Sequence, residues 1–269
     1  MTETIVPFLK WAGGKRWLVS SRPDFFPAVT GRHIEPFAGS AALFFALSPK
    51  SALLSDLNER LIETYVMIRD SVDEFEVKFK FFASQHSKDF YYSIRQKKFA
   101  TACERAAQFL YLNRVCFNGI YRENLKGEFN VPIGSKKTAI LDTDNFQAVS
   151  ELLKGAELVS QDFERVVESS QADDLLYVDP PYTTSHNMNG FVKYNQNIFS
   201  WEDQERLANA VRRAHFRGVS IVVSNADQPD VRALYSDFLS LYSVSRTNVI
   251  ASKSKYRREI TEMVASNAI

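Results

Sequence analysis

Short apolar runs that each end on a polar or acidic residue constrain the fold of this chain most. They are His33-Ile34-Glu35, ending in Pro36-Phe37-Ala38-Gly39, and Ala52-Leu53-Leu54-Ser55, ending in Asp56. Next come Leu158-Val159-Ser160, ending in Asp162-Phe163, and Leu175-Leu176-Tyr177-Val178, ending in Asp179-Pro180-Pro181-Tyr182. The last is Ser220-Ile221-Val222-Val223-Ser224, ending in Asn225. Such runs read as strands buried on both faces, the habit of parallel sheets. Helical periodicity lies between several of them: Glu202 to His215 sets Leu207, Ala210, Val211 and Ala214 on one face. Strands alternating with helices predict a doubly wound α/β sheet. Ligands of such sheets bind beyond the strand C-termini, where the polar residues recur.

The interval from about Leu57 to about Gly155 is too long for one crossover. It is mostly helical in pattern and rich in aromatics (Phe75, Phe79, Phe81, Phe82, Phe90, Tyr91, Tyr92, Phe99), which read as the core of a smaller lobe. Turns are predicted at Asn118-Gly119, at Leu125 to Glu128 and at Pro132 to Ser135. The 269 residues suit one domain carrying such an insertion. A net charge of +1 does not by itself point to a polyanion. Basic residues do cluster, at Lys88, Arg95, Lys97, Lys98, Arg105, Arg114, Arg122 and Lys126, and again at Arg246, Lys253, Lys255, Arg257 and Arg258. Each cluster fits a binding surface or a solvated face. Two cysteines, Cys103 and Cys116, are too few for a disulfide framework or a cysteine zinc site, and no metal is expected. No apolar run is long enough to cross a membrane, and Met1-Thr2-Glu3-Thr4 is not a secretory signal, so a cytoplasmic protein is expected.

The chemistry is most legible in Asp179-Pro180-Pro181-Tyr182, directly after an apolar strand. This set suits methylation of an exocyclic amine. The lone pair of such an amine is delocalised into its ring, so the nitrogen is a poor nucleophile. Engaging both N–H groups with acceptors draws the nitrogen toward tetrahedral geometry and localises the lone pair. Asp179 can supply a carboxylate oxygen and Pro180 a backbone carbonyl. The two prolines stiffen the turn, and Tyr182 can stack on the base. A methyl donor then needs no covalent enzyme intermediate, and positioning and electrostatics carry the rate.

Other strand ends fit a nucleoside cofactor. Small residues at Ala38, Gly39, Ser40 and Ala41 let a ligand approach the backbone. Asp56 can bind ribose hydroxyls or cap the next helix, and the two roles are compatible. Asp162 and Phe163 can bracket an adenine. Lys10-Trp11-Ala12-Gly13-Gly14-Lys15 is not a phosphate-binding P-loop, but it can cap a cofactor.

Taken in order, these segments resemble the Dam family of DNA adenine methyltransferases, the D12 class with the alpha-type motif order. The resemblance covers nearly the whole chain: Phe8 to Lys15, Glu35 to Phe44, Asp56-Leu57-Asn58, Phe109 to Gly134, Val178 to Tyr182 and Val223-Ser224-Asn225. It implies a Rossmann-like methyltransferase domain of residues 1–58 plus 155–269 and an inserted, mainly helical target-recognition domain of residues 59–154, with a recognition hairpin near 113–134. It implies that Trp11, Lys15, Glu35, Phe37, Gly39, Asp56, Asp162, Phe163 and Asp179 bind S-adenosylmethionine, and that Asp179, Pro180, Pro181 and Tyr182 act on a flipped adenine. Double-stranded DNA would be contacted by Lys10, Arg114, Phe117, Asn118, Ile120, Arg122 and Pro132. Phe117 and Asn118 fall where residues wedge into the duplex. Arg122 falls where an arginine reads guanine, and Ile120 and Pro132 where a thymine methyl is touched. GATC is the implied target, read by a monomer. Two departures stand out: Ala41 replaces a second glycine, and Tyr121 and Glu123 flank Arg122 where less bulk and less acid are expected.

Rival readings are the same fold acting on cytosine N4, on RNA or on another DNA sequence, and a catalytically silent DNA-binding protein. Asp179 argues against the first two, because cytosine N4 enzymes more often carry serine there, and RNA and protein methyltransferases usually asparagine. Cofactor binding separates the last.

Overall fold

The structure is a computed structural model that describes residues 5–11, 13–28, 30–119, 121–124, 127–183, 199–247 and 259–268. Among the residues singled out above, Met1 to Thr4, Ala12, Ile120, Leu125, Lys126, Lys253, Lys255, Arg257 and Arg258 lie outside that set.

Seven strands form a sheet of order β3-β2-β1-β4-β5-β7-β6. They are β1 (His33–Glu35), β2 (Ala52–Ser55), β3 (Ala156–Val159), β4 (Leu175–Val178), β5 (Ser220–Ala226), β6 (Ser240–Thr247) and β7 (Glu259–Ser266). β1 runs parallel to β4, β2 to β3, and β4 to β5; β7 is antiparallel to both β5 and β6. The chain winds outward from β1 to β3, then resumes beside β1 at β4. The ends of β1 and β4 therefore flank the switch point of a doubly wound sheet.

Three details differ from the sequence reading. β3 begins at Ala156, two residues before the apolar run, because Ala52 pairs with Ala156 across the ladder. β5 continues through Asn225 to Ala226. β6 and β7 had no counterpart in that reading. Both mix small polar with apolar residues (Ser240, Ser243, Ser245, Thr261, Ser266), and the apolar run of β7 is confined to Met263-Val264-Ala265.

The chain packs as two compact units, residues 1–20 with 38–160, and residues 21–37 with 161–269. α1 (Arg16–Ser21) lies at their junction in sequence. In the first unit, α2 (Ala42–Leu47), α3 (Glu59–Asp70), α4 (Val72–Ser84), α5 (Lys88–Gln96), α6 (Ala102–Val115) and α7 (Phe146–Leu153) accompany β2 and β3. α6 is buried almost throughout, Gln108, Asn113 and Arg114 included, with α3 and α4 packed on it. Side chains of Asn58, Ser87, Thr101 and Asn145 cap α3, α5, α6 and α7, each worth about 1 kcal/mol. The N-cap of α3 is thus Asn58, not Asp56. Phe75, Phe79, Phe82 and Tyr91 are buried core, and Phe75 and Phe79 meet Phe146 edge-on.

The second unit holds β1, β4, β5, β6 and β7 with α8 (Phe163–Glu168), α9 (Trp201–Phe216) and α10 (Pro229–Tyr235). Ser200 and Asp203 make a capping box at the start of α9. The α9 face that carries Leu207, Ala210, Val211 and Ala214 is buried, and it also buries Gln204. Exposed pairs from Arg213 and Arg217 to Glu164 and Glu168 link α9 to α8, but pairs this wet contribute little.

Candidate functional site

In the second unit, β4 ends in the turn Asp179-Pro180-Pro181-Tyr182, with Pro180 buried and Asp179, Pro181 and Tyr182 half-buried. Three attachments hold this turn. The buried Gln204 amide on α9 donates to the Pro181 and Thr183 carbonyls, at 3.5 and 3.4 Å, and accepts from Asn225 on β5. The Thr183 hydroxyl donates to the Phe199 carbonyl. The Tyr182 hydroxyl donates to Glu262 Oε2 at 3.0 Å and lies 3.1 Å from Ser224 Oγ. Burial, with the Asp179 and Glu262 carboxylates close by, pushes the Tyr182 phenol well above its ordinary range, so it stays a donor. The prolines therefore set the backbone, while side chains from α9, β5 and β7 set its place.

Beside this turn, β1 delivers Glu35 and Phe37. Glu35 is buried and its Oε1 lies 2.7 Å from His33 Nε2, so its carboxylate is engaged within its own strand. Phe37 is half-buried and stacks on Phe163, with ring centroids 5.4 Å apart. Phe163 itself is buried, and the Arg206 guanidinium sits 4.1 Å over its ring. The ring open to a flat ligand is Phe37, and Phe163 supports it from beneath. Asp162 caps α8 and forms a two-pronged pair with Arg206 at 2.8 and 2.9 Å, which holds its carboxyl below the usual range. The sequence did not single out Arg206, since Asp162 and Glu164 lie about forty positions away from it.

In the first unit, Asp56 follows β2 and is half-buried. Its Oδ2 accepts the Gly39 N–H at 3.1 Å and its Oδ1 the Asn58 N–H at 3.0 Å. Burial raises its pKa, and the two N–H donors oppose that rise. A carboxylate aimed by backbone donors suits a vicinal diol. Gly39 has φ +49°, and a Cβ there would lie 2.6 Å from Trp11 Cδ1. The space beside Gly39 is thus filled by an indole, so its smallness serves Trp11 before any ligand. Trp11 in turn stacks on Tyr121 and Phe109. The Tyr65 hydroxyl fixes the same loop by donating to the Gly39 carbonyl. Ala41 occupies the left-handed region at φ +47°, where glycine carries no penalty and alanine costs about 1 kcal/mol. Lys15 is buried, with Nζ turned back to the Gly13 carbonyl at 2.7 Å.

The stretch after α6 divides sharply. Arg114 is 2% exposed. Its guanidinium donates to the Phe8 and Ala139 carbonyls and twice to Asp144, each at 2.6 Å for the acid. The expectation that Arg114 meets DNA is corrected here: a buried side chain committed to four acceptors cannot reach a polyanion. Asn113 is equally internal and exchanges two hydrogen bonds with the Lys10 backbone. Outward from this anchor, Phe117 is 56% exposed and Asn118, at φ +58°, is exposed beside it. Gly119 takes φ +65° with the Lys10 stem packed against it, so a Cβ there would lie 2.5 Å from Lys10 Cδ. Lys10 is half-buried, and desolvation followed by Lys136 lowers its pKa. Isolated bridges Cys116 to Ile133 and Glu123 to Phe129 close the hairpin. Arg122 and Pro132 are exposed on it, and Arg122 Nε donates to Asn130. The two flanking departures are accommodated: Tyr121 packs inward on Phe109 and Trp11, and its hydroxyl donates to Glu123 at 2.7 Å. Among the described residues, no group of three His, Cys, Asp or Glu stands where a metal ion could be held, and no helix is long and apolar enough to cross a membrane.

The family model for D12 class N6 adenine-specific DNA methyltransferases matches residues 11–250. A type II methyltransferase of Lactococcus lactis subsp. cremoris, M1.LlaDCHI, is 35% identical over 97% of this chain and 95% of its own length. The type II methyltransferase M.MjaIII of Methanocaldococcus jannaschii is 34% identical over 98% of this chain and 99% of its own. A DNA adenine methylase of Haemophilus influenzae is 32% identical over 96% and 92%.

Proposed function

Because this chain belongs to the D12 class N6 adenine-specific DNA methyltransferases, we propose that it methylates the adenine of GATC in duplex DNA, with S-adenosylmethionine as donor. The observation that carries the reading is the Asp179-to-Tyr182 turn, held at the end of β4 beside the switch point with its acid half-buried. Asp179 accepts one N–H of the target amine and the Pro180 carbonyl the other. The lone pair left on nitrogen would face the sulfonium methyl of the donor, where N–C bond formation would break the methyl–sulfur bond, leave a neutral thioether and release the surplus amine proton to solvent; Tyr182 stacks on the flipped ring.

The donor set is Trp11, Lys15, Glu35, Phe37, Gly39, Asp56, Asp162, Phe163 and Asp179. Asp56 takes the ribose hydroxyls and Phe37 the adenine face. Glu35, Lys15 and Phe163 offer no open face, since all three are buried, and contribute by supporting their own neighbours. When bound, S-adenosylmethionine supplies a methyl group on a positive sulfur. Lys10, Phe117, Asn118, Ile120, Arg122 and Pro132 form the DNA set, from which Arg114 is withdrawn. Residues 59–154 serve recognition, and residues 1–58 with 155–269 serve catalysis. The protein works as a monomer on DNA in the cytoplasm of a bacterial or phage-infected cell.

The test is methyl transfer from radiolabelled S-adenosylmethionine to matched duplexes carrying GATC, GTTC or a permuted site. Label in the GATC duplex alone supports both reaction and target. Label in every adenine-containing duplex removes the target, and label in RNA alone removes the DNA reading.

A further inference from the structure

We propose that Glu262, on β7, is a positioning residue for methyl transfer. Through the Tyr182 hydroxyl, and together with Ser224, it fixes the ring on which the target base stacks. The inference rests on the assignment of Tyr182 to the base. Two strands contribute to the clamp. Ser224 lies on β5, and Glu262 on β7, where Ser224 pairs with Val264 and Ala226 with Glu262. The Tyr182 hydroxyl reaches both side chains, at 3.1 and 3.0 Å. Ser224 is fully buried and Glu262 is 2% exposed. A phenol held at its tip by two strands has lost the freedom to swing about its side-chain torsions, whereas the prolines hold only its backbone.

The residue type is itself informative. Met263, Val264 and Ala265, the next residues of β7, are all buried and apolar. An apolar residue at 262 would satisfy packing without the desolvation cost that a buried carboxylate carries. A carboxylate offers acceptors only, so it dictates that Tyr182 donates and thereby fixes the direction of the O–H as well as its place. This function also gives β7 a role at the site that no sequence signal around residue 262 announces.

The experiment uses the full chain on the duplex that the wild-type protein methylates. It reads the single-turnover rate, DNA affinity by fluorescence anisotropy and thermal melting. Wild-type activity and its loss in Tyr182→Ala test the underlying assignment; an inactive wild type, or a fully active Tyr182→Ala, overturns that assignment and the inference with it. Given the assignment, Glu262→Leu is expected to slow the single-turnover rate about ten- to a hundredfold, the scale of a small misplacement, with DNA affinity unchanged. Glu262→Gln retains an acceptor and is expected to restore most of the rate. Tyr182→Phe keeps the ring and loses the clamp, and adding Glu262→Leu to it is expected to cost nothing further. If Glu262→Leu melts early, Tyr182→Phe and Glu262→Gln decide alone. A full rate in Tyr182→Phe, or independent losses in the double variant, overturns the inference.

Discussion

Arg114 and Arg122 sit eight positions apart in the same basic stretch, and the fold gives them opposite environments. Arg114 ends a helix that is buried almost throughout, and its charge is met by Asp144 and two backbone carbonyls. Arg122 stands on a turn-rich hairpin, exposed, with one N–H placed by Asn130. A charge taken out of water must be paired within the protein, and one left in water is available to a partner. The anchor and the proposed reader are therefore distinguished by burial, not by residue type. The anchor also explains how a short exposed loop stays in place. Asn113 and Arg114 tie the end of α6 to Lys10 and Phe8, from which Phe117 and Asn118 project.

The largest effect is expected at Arg114. Arg114→Ala strands a partly buried acid and several carbonyls, and is expected to cost about 3–5 kcal/mol of stability in denaturant titration. Any folded fraction should keep its base preference. Normal stability with lost discrimination would reverse the roles drawn here. Arg122→Ala should do the opposite. Discrimination at one guanine is expected to relax by about 1–3 kcal/mol in kcat/KM across substituted duplexes. Its unfolding free energy should change by no more than about 0.5 kcal/mol. The smallest effect is expected from Tyr121→Phe, which removes a hydrogen bond worth about 1 kcal/mol and releases Glu123 next to the reader. DNA affinity should weaken most at low salt, where an uncompensated acid is least screened. An equal loss at all salt concentrations would mean that Tyr121 matters only through packing on Trp11.

Much of the sheet was legible because parallel strands buried on both faces leave unbroken apolar runs, as in Leu175 to Val178 and Ser220 to Ser224. The polar residues ending them include Asp56 after β2 and Asp179 after β4, the two acids that the proposed reading relies on. β6 and β7 escaped because serine, threonine and charged residues break up their apolar positions, leaving Met263-Val264-Ala265 as their longest contiguous run. The supports of the site escaped for a different reason. Arg206 reaches Asp162 across 44 positions and Glu262 reaches Tyr182 across 80, distances at which no local spacing survives. Gly39 shows a third limit. Its small size was legible, but the indole of Trp11 that requires it was not. Burial, which separates Arg114 from Arg122, is likewise a property of the packed α6 and not of the basic stretch that contains both.

The most direct measurement is to digest duplex DNA after reaction and identify the methylated nucleoside by mass spectrometry, for the wild-type protein and for Asp179→Ala. The expected result is N6-methyladenine from the wild type. From Asp179→Ala, folded and bound to DNA as tightly, the yield should fall by about a hundredfold or more, on the scale seen when one preorganised catalytic group is removed. Methyl on cytosine N4, or undiminished N6-methyladenine from the variant, would contradict the role given to the turn at the end of β4.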